Sequence, residues 1–183
     1  MDERHRLVLE ELLALVPAGA APLVLPPSWW SAVEAALGTA LPGDYKALVA
    51  RYGDRFGRGF HVYSPFAGAG GRNLNEAADD ASRVVRERAA RSDARMQSFP
   101  YRLYPECDGL LLWGSEDSGL LLFWLTGGDP DAWPVVVVDP RNLESERFDM
   151  PAASFLRGAV TRRLHSRILP GALPWPQAAG GEN

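Results

Sequence analysis

The stretch GLLLWGSEDSGLLLFWLTGGDPDAWPVVVVD, residues 109–139, decides the fold because short apolar runs alternate in it with turn chemistry. The runs GLLLWG, GLLLFWLT and WPVVVVD are too short for buried helices and are rich in branched and aromatic side chains that suit a pleated surface. Ser, Asp, Gly and Pro between them supply the conformations that reverse a chain. SEDS and GGDPDA are therefore expected as hairpin loops joining consecutive antiparallel strands, with YRLYPE at residue 101 as a preceding strand.

Upstream the period changes. Leu9, Leu12, Leu13 and Val16 recur at helical spacing, so residues 3–16 are predicted as a helix ended by Pro17, followed by the linker PAGAAPLVLPP. Ser28 is a candidate cap for a second helix carrying Trp30, Val33 and Leu37, which Gly38 stops. Pro42 suits the first turn of a third, with Tyr45, Leu48, Val49 and Tyr52 on one face and Gly53 after it. GFHVYSPF reads as a strand, and GAGGRN breaks it. Asn73 with Glu76 three residues on resembles a capping box for a fourth helix, expected to end between Arg91 and Ala94. Downstream, Pro151 opens a last helix with Phe155, Leu156, Ala159 and Val160 inward and Arg162 and Arg163 at its end.

The order of elements predicts an α+β fold: a mainly antiparallel twisted sheet with helices packed on one face. A length of 183 residues suits one domain, with 1–25 as N-terminal helix and Pro-rich linker, 26–166 as the domain proper and 167–183 as a Pro/Gly-rich tail. No segment approaches the roughly 20 apolar residues of a bilayer span, and the acids within the N-terminal segment argue against a signal peptide. A lone Cys107 cannot form an intramolecular disulfide, so a cytoplasmic location is expected.

Net charge is -4, unevenly spread. Residues 106–149 hold ten acids against Arg141 and Arg147, a balance of -8 that leaves +4 on the rest. A one-signed surface steers a complementary partner and repels nucleic acid, although Asp is also common in turns for its own reasons.

Catalytic chemistry is not legible. WGSEDSG does not have the G-x-S-x-G spacing of a hydrolase elbow. His5, His61, His165 and Cys107 fall on different predicted elements, short of a zinc set, and Asp129 with Asp131 falls short of a calcium set. GAGGRN matches neither phosphate-binding glycine motif. His61 could titrate near neutral pH but has no evident catalytic companion. Trp113, Trp124 and Trp133 lie in the acidic stretch, which suits core aromatics better than a base-stacking platform. The expectation is no enzyme, no metal, no cofactor and no nucleic acid.

Trp30, Glu34, Gly38, Leu41, Pro42 and Tyr45 form one ordered motif; Trp113, Gly114, Gly119, Trp124, Trp133, Val135 and Val137 form a second; Phe148, Phe155 and Leu156 form a third. Together, over residues 28–165, they resemble the SUKH superfamily in its yeast cell-wall-assembly-regulator-like (Smi/Knr-type) branch. That resemblance implies a protein-binding domain, foremost an immunity protein that neutralises a cognate toxin, often a nuclease, with a regulatory scaffold as the alternative. The N-terminal helix and the charged helix from residue 73 depart from the pattern. Glu116, Asp117, Asp129 and Asp131 are the candidate partner contacts, expected to share one end of the sheet.

Overall fold

A computed structural model describes residues 3–18, 23–53, 55–56, 59–66, 73–91 and 99–170. Most of the expected GAGGRN break and most of the tail with Trp175 lie outside these residues.

The helices follow their apolar stripes. Helix α1 (Glu3–Leu15) buries Val8, Leu9 and Leu12 and packs on the last and third helices. Helix α2 (Pro27–Leu37) starts with Pro27 at its first turn, where a missing N–H costs nothing; Ser28 therefore is not the cap, and Pro26 holds that position. Gly38 ends it in the left-handed conformation, at φ 76°. Helix α3 (Gly43–Tyr52) follows Pro42, and Tyr45, Leu48 and Val49 are buried beneath it. Asn73 caps helix α4 (Leu74–Ala90) as expected, its Oδ1 accepting from the Asn75 N–H at 2.7 Å. Helix α5 (Ala152–Val160) stops before Arg162, which lies at φ 56°.

Strands β1 (Arg55–Phe56), β2 (Phe60–Val62), β4 (Gly109–Glu116), β5 (Leu121–Leu125), β6 (Val135–Val138) and β7 (Ser145–Phe148) form an antiparallel sheet in the order β1-β2-β4-β5-β6-β7. The strand β3 (Arg102–Leu103) differs from expectation: it pairs with β4 in parallel. The Glu106 N–H bonds back to the Leu103 carbonyl and the Gly109 N–H to that of Glu106, so the chain folds over itself and re-enters the sheet in the same direction. Two strands were not anticipated. β1 is very short, and β7 is an edge strand whose Ser145, Glu146 and Arg147 hide the apolar alternation.

The α+β class holds, and each face of the sheet has its own core. On one face Leu111, Trp113, Leu122, Trp124, Val135, Val137 and Phe148 meet α1, α2, α3 and α5. On the other, Leu110, Leu112, Phe123, Val136 and Val138 meet Ala77, Ala81 and Val85 of α4, with Leu103 and Leu143 completing the cluster. Both faces of β6 are buried, which is why it reads as an unbroken valine run. A bulge between Leu112 and Gly114 turns Trp113 and Gly114 toward the same core. Only glycine fits at 114, since a Cβ there would lie 2.5 Å from the His61 carbonyl oxygen. Trp113 and Trp124 stack at 5.9 Å, and Tyr45 meets Trp124 edge-on at 4.9 Å. Burial pushes the Tyr45 phenol far above its ordinary value, and its hydroxyl donates to the Tyr63 carbonyl.

Candidate functional site

In an antiparallel meander successive connections lie at opposite ends of the sheet, and this fixes where the candidate residues fall. The β4–β5 turn and the β6–β7 loop share one end, called here the turn end; β4 begins, β5 ends and β6 begins at the other, the cap end. Glu116 and Asp117 are at the turn end, Asp129 and Asp131 at the cap end. The expected single cluster does not form, because two adjacent hairpins cannot turn at the same end. The length of β5, roughly 15 Å, separates the pairs. That exceeds the screening length of about 8–10 Å in physiological salt, so the two ends act as separate electrostatic surfaces.

At the turn end most of the acids have answering groups. Glu116 is buried, and its carboxylate accepts from the Ser118 N–H at 2.8 Å and from the Ser118 hydroxyl, closing the turn. Asp117 is exposed and lies 2.9 Å from His61 Nε2. Asp139 takes Arg141 through two side-chain bonds of 2.7 and 2.9 Å. Those bonds hold the Asp139 carboxyl below its ordinary value, outweighing its partial burial. Glu144 is exposed and makes no ion pair among the described residues.

At the cap end Asp149 takes Arg147 at 2.7 Å, and three other acids bond to backbone. Asp131 Oδ1 accepts from the Gly43 N–H at 2.5 Å, so a loop 88 residues away caps α3. Asp129 caps the short turn Pro130–Ala132 by accepting from the Asp131 N–H. Asp44, buried, accepts from the Ala153 N–H at 2.8 Å and so caps α5. Each cap places a negative charge where helix N–H groups lack partners.

Two further carboxylates join this end. Glu106 and Asp108 are exposed in the β3–β4 connection, and Asp108 touches the β5–β6 loop, since a Cβ on Gly127 would strike its carboxylate. Thr126 ties the two connections together, donating through its N–H and hydroxyl to the Gly109 carbonyl at 3.0 and 2.8 Å. Glu106, Asp108 and Asp129 form no ion pair among the described residues, and no Lys or Arg occurs between 103 and 140. Both acids belonged to the charged stretch but were not singled out. The alternation of connections along a meander is the signal that pairs them with Asp129.

The other candidates resolve as structure. Glu34 Oε1 accepts from the Leu41 N–H at 2.7 Å and from Lys46 Nζ at 2.5 Å, bracing the α2–α3 turn. Burial raises its carboxyl, but those partners outweigh it and hold the pKa below the ordinary value. His61 and Tyr63 lie beside Ser115, with the Tyr63 hydroxyl 3.0 Å from Ser115 Oγ. Cys107 is exposed. Among the described residues no three His, Cys, Asp or Glu side chains gather as a metal set. No helix among them is long and apolar enough to cross a membrane.

Compared with known proteins, the chain matches the model of one family, SUKH_6, described as SMI1-KNR4 cell-wall, over residues 27–157. No curated protein and no solved structure matches. The matched span holds the α2–α3 hairpin with Trp30, Glu34 and Pro42, the whole sheet with its bulged Trp113–Gly114, and most of α5. The chain therefore belongs to the SUKH_6 family, the SMI1-KNR4 cell-wall group of the SUKH superfamily.

Proposed function

We propose that this SUKH domain is a non-enzymatic binding protein of the cytoplasm, an immunity protein that captures and neutralises a cognate toxin. Membership of the family supports a role in protein interaction in general. The observation that carries the finer reading is the cap end, where Glu106, Asp108 and Asp129 are exposed and form no ion pair among the described residues. A toxin that acts on nucleic acid presents a basic surface, and such an end would steer it in. Of the four original candidates, Asp129 supplies charge here and Asp131 shapes the loop that presents it. Asp117 offers a second, weaker contact at the turn end, and Glu116 holds its turn.

Co-expression with the product of the adjacent gene tests this. The expected result is a stable complex and rescue of cells from that protein's toxicity. A harmless neighbour, or toxicity undiminished by this chain, overturns the immunity role. The cell-wall description of the matched family favours a second reading, a regulatory scaffold, in which the chain would link endogenous proteins whether or not a toxin gene lies nearby.

A further inference from the structure

A cleft of about 360 Å³ opens between α4 and the outer edge of β4. It exists because two short strands share that edge without meeting. β2 pairs with Gly114 and beyond, β3 with Gly109 and Leu110, and the backbone between them is left facing the gap. The floor is apolar, formed by Leu110, Leu112 and the ring of Tyr104, whose hydroxyl is fixed by donating to the Leu37 carbonyl. The lip is polar: Asn75, Asp79 and Ser82 stand at i, i+4 and i+7, a single stripe of α4.

Three features of the lip point to a cationic occupant. Asp79 is exposed and makes no ion pair among the described residues, whereas its neighbour Asp80 takes Arg83 at 3.0 Å. Asn75 Oδ1 is buried without a hydrogen-bond partner, an arrangement that a turn of the amide toward a donor in the cleft would relieve. Among the described residues no Lys or Arg lines the cleft, and Arg86, the next residue on the stripe, lies a turn beyond it. The volume is at the small end for a ligand site and suits one long side chain.

We propose that this cleft is a socket for an arginine side chain of a protein partner, with the aliphatic stem on Leu110 and Leu112 and the guanidinium among Asn75, Asp79 and Ser82. A planar fork with several donors fits three acceptors on one stripe better than the point charge of lysine does. The identity of the partner rests on the immunity reading; the chemistry of the socket does not.

Titration of the full chain with N-acetyl-arginine amide, followed by backbone amide NMR, tests it. Saturable shifts are expected at residues 75–82 and 110–112. N-acetyl-citrulline amide, of the same shape without charge, should bind at least about tenfold more weakly, and Asp79→Asn should weaken the arginine probe by a similar factor. Asp79 is exposed, so the variant's unchanged spectrum outside the cleft would show that it folds. Absent shifts, equal binding of both probes, or undiminished binding by Asp79→Asn overturns the socket. Because the probe replaces the partner, failure of the toxin reading leaves this result untouched, and failure of the socket leaves the toxin reading untouched.

Discussion

The two ends of the sheet are built from the same kind of residue and use it differently. At the turn end, Asp139 takes Arg141, Asp117 lies beside His61, Glu116 bonds to the serine of its own turn, and Glu144 forms no ion pair among the described residues. At the cap end, Asp44 and Asp131 accept from helix N–H groups, Asp149 takes Arg147, and Glu106, Asp108 and Asp129 form no ion pair among the described residues. A count of acids along the chain cannot separate these cases. What a carboxylate is bonded to decides whether it shapes a turn, holds a helix or faces a partner.

The largest effect that would sharpen this contrast is at Asp44. Asp44→Ala strips the buried carboxylate from the start of α5 and is expected to lower stability by about 2–3 kcal/mol in urea titration. A loss below about 0.5 kcal/mol, the size of an ordinary surface change, would show that the cap end does not depend on its caps. Glu116→Ala should cost about 1–2 kcal/mol at the turn end, and Asp131→Ala about 1 kcal/mol at the cap end. If either leaves the denaturation midpoint unmoved, that carboxylate is free for other work.

Acid unfolding probes the paired carboxylates together. Glu34 and Asp139 are held below their ordinary values, so the stability they add is complete above the ordinary carboxylate range and is lost as pH falls through their lower folded values. Glu34→Gln and Asp139→Asn should therefore flatten the loss of stability on the acid limb. Smallest of all is the exposed His61–Asp117 pair. Asp117→Asn should change stability by less than about 0.5 kcal/mol, measured beside Glu116→Ala in the same titration. A larger loss would make the whole turn end structural.

Much of the fold was legible because local chemistry and packing agree. Gly38 and Gly53 after their helices, Asn73 before α4, and the alternation of Leu111 and Trp113 against Leu110 and Leu112 each state their role in sequence. β7 was not legible because an edge strand needs only one inward residue, here Phe148, to stay docked. The parallel β3 was hidden because its direction is set by backbone bonds within the loop that follows it. The acidic stretch was visible as a quantity, but its division between ends depends on strand order and direction. Asp131 illustrates the limit: its partner, Gly43, lies far off in sequence, and nothing near either residue announces the bond. The cleft beside Tyr104 was equally silent, since it arises from two strands failing to meet.

The most direct test of the central claim is the association rate with the adjacent-gene toxin, measured by stopped flow across a range of salt. Reversing Glu106, Asp108 and Asp129 to Lys should slow association at low salt by at least about tenfold and flatten its salt dependence, whereas reversing Asp117 and Glu144 should do much less. An unchanged rate and salt slope in the cap-end variant, or a larger drop in the turn-end variant, would contradict the account.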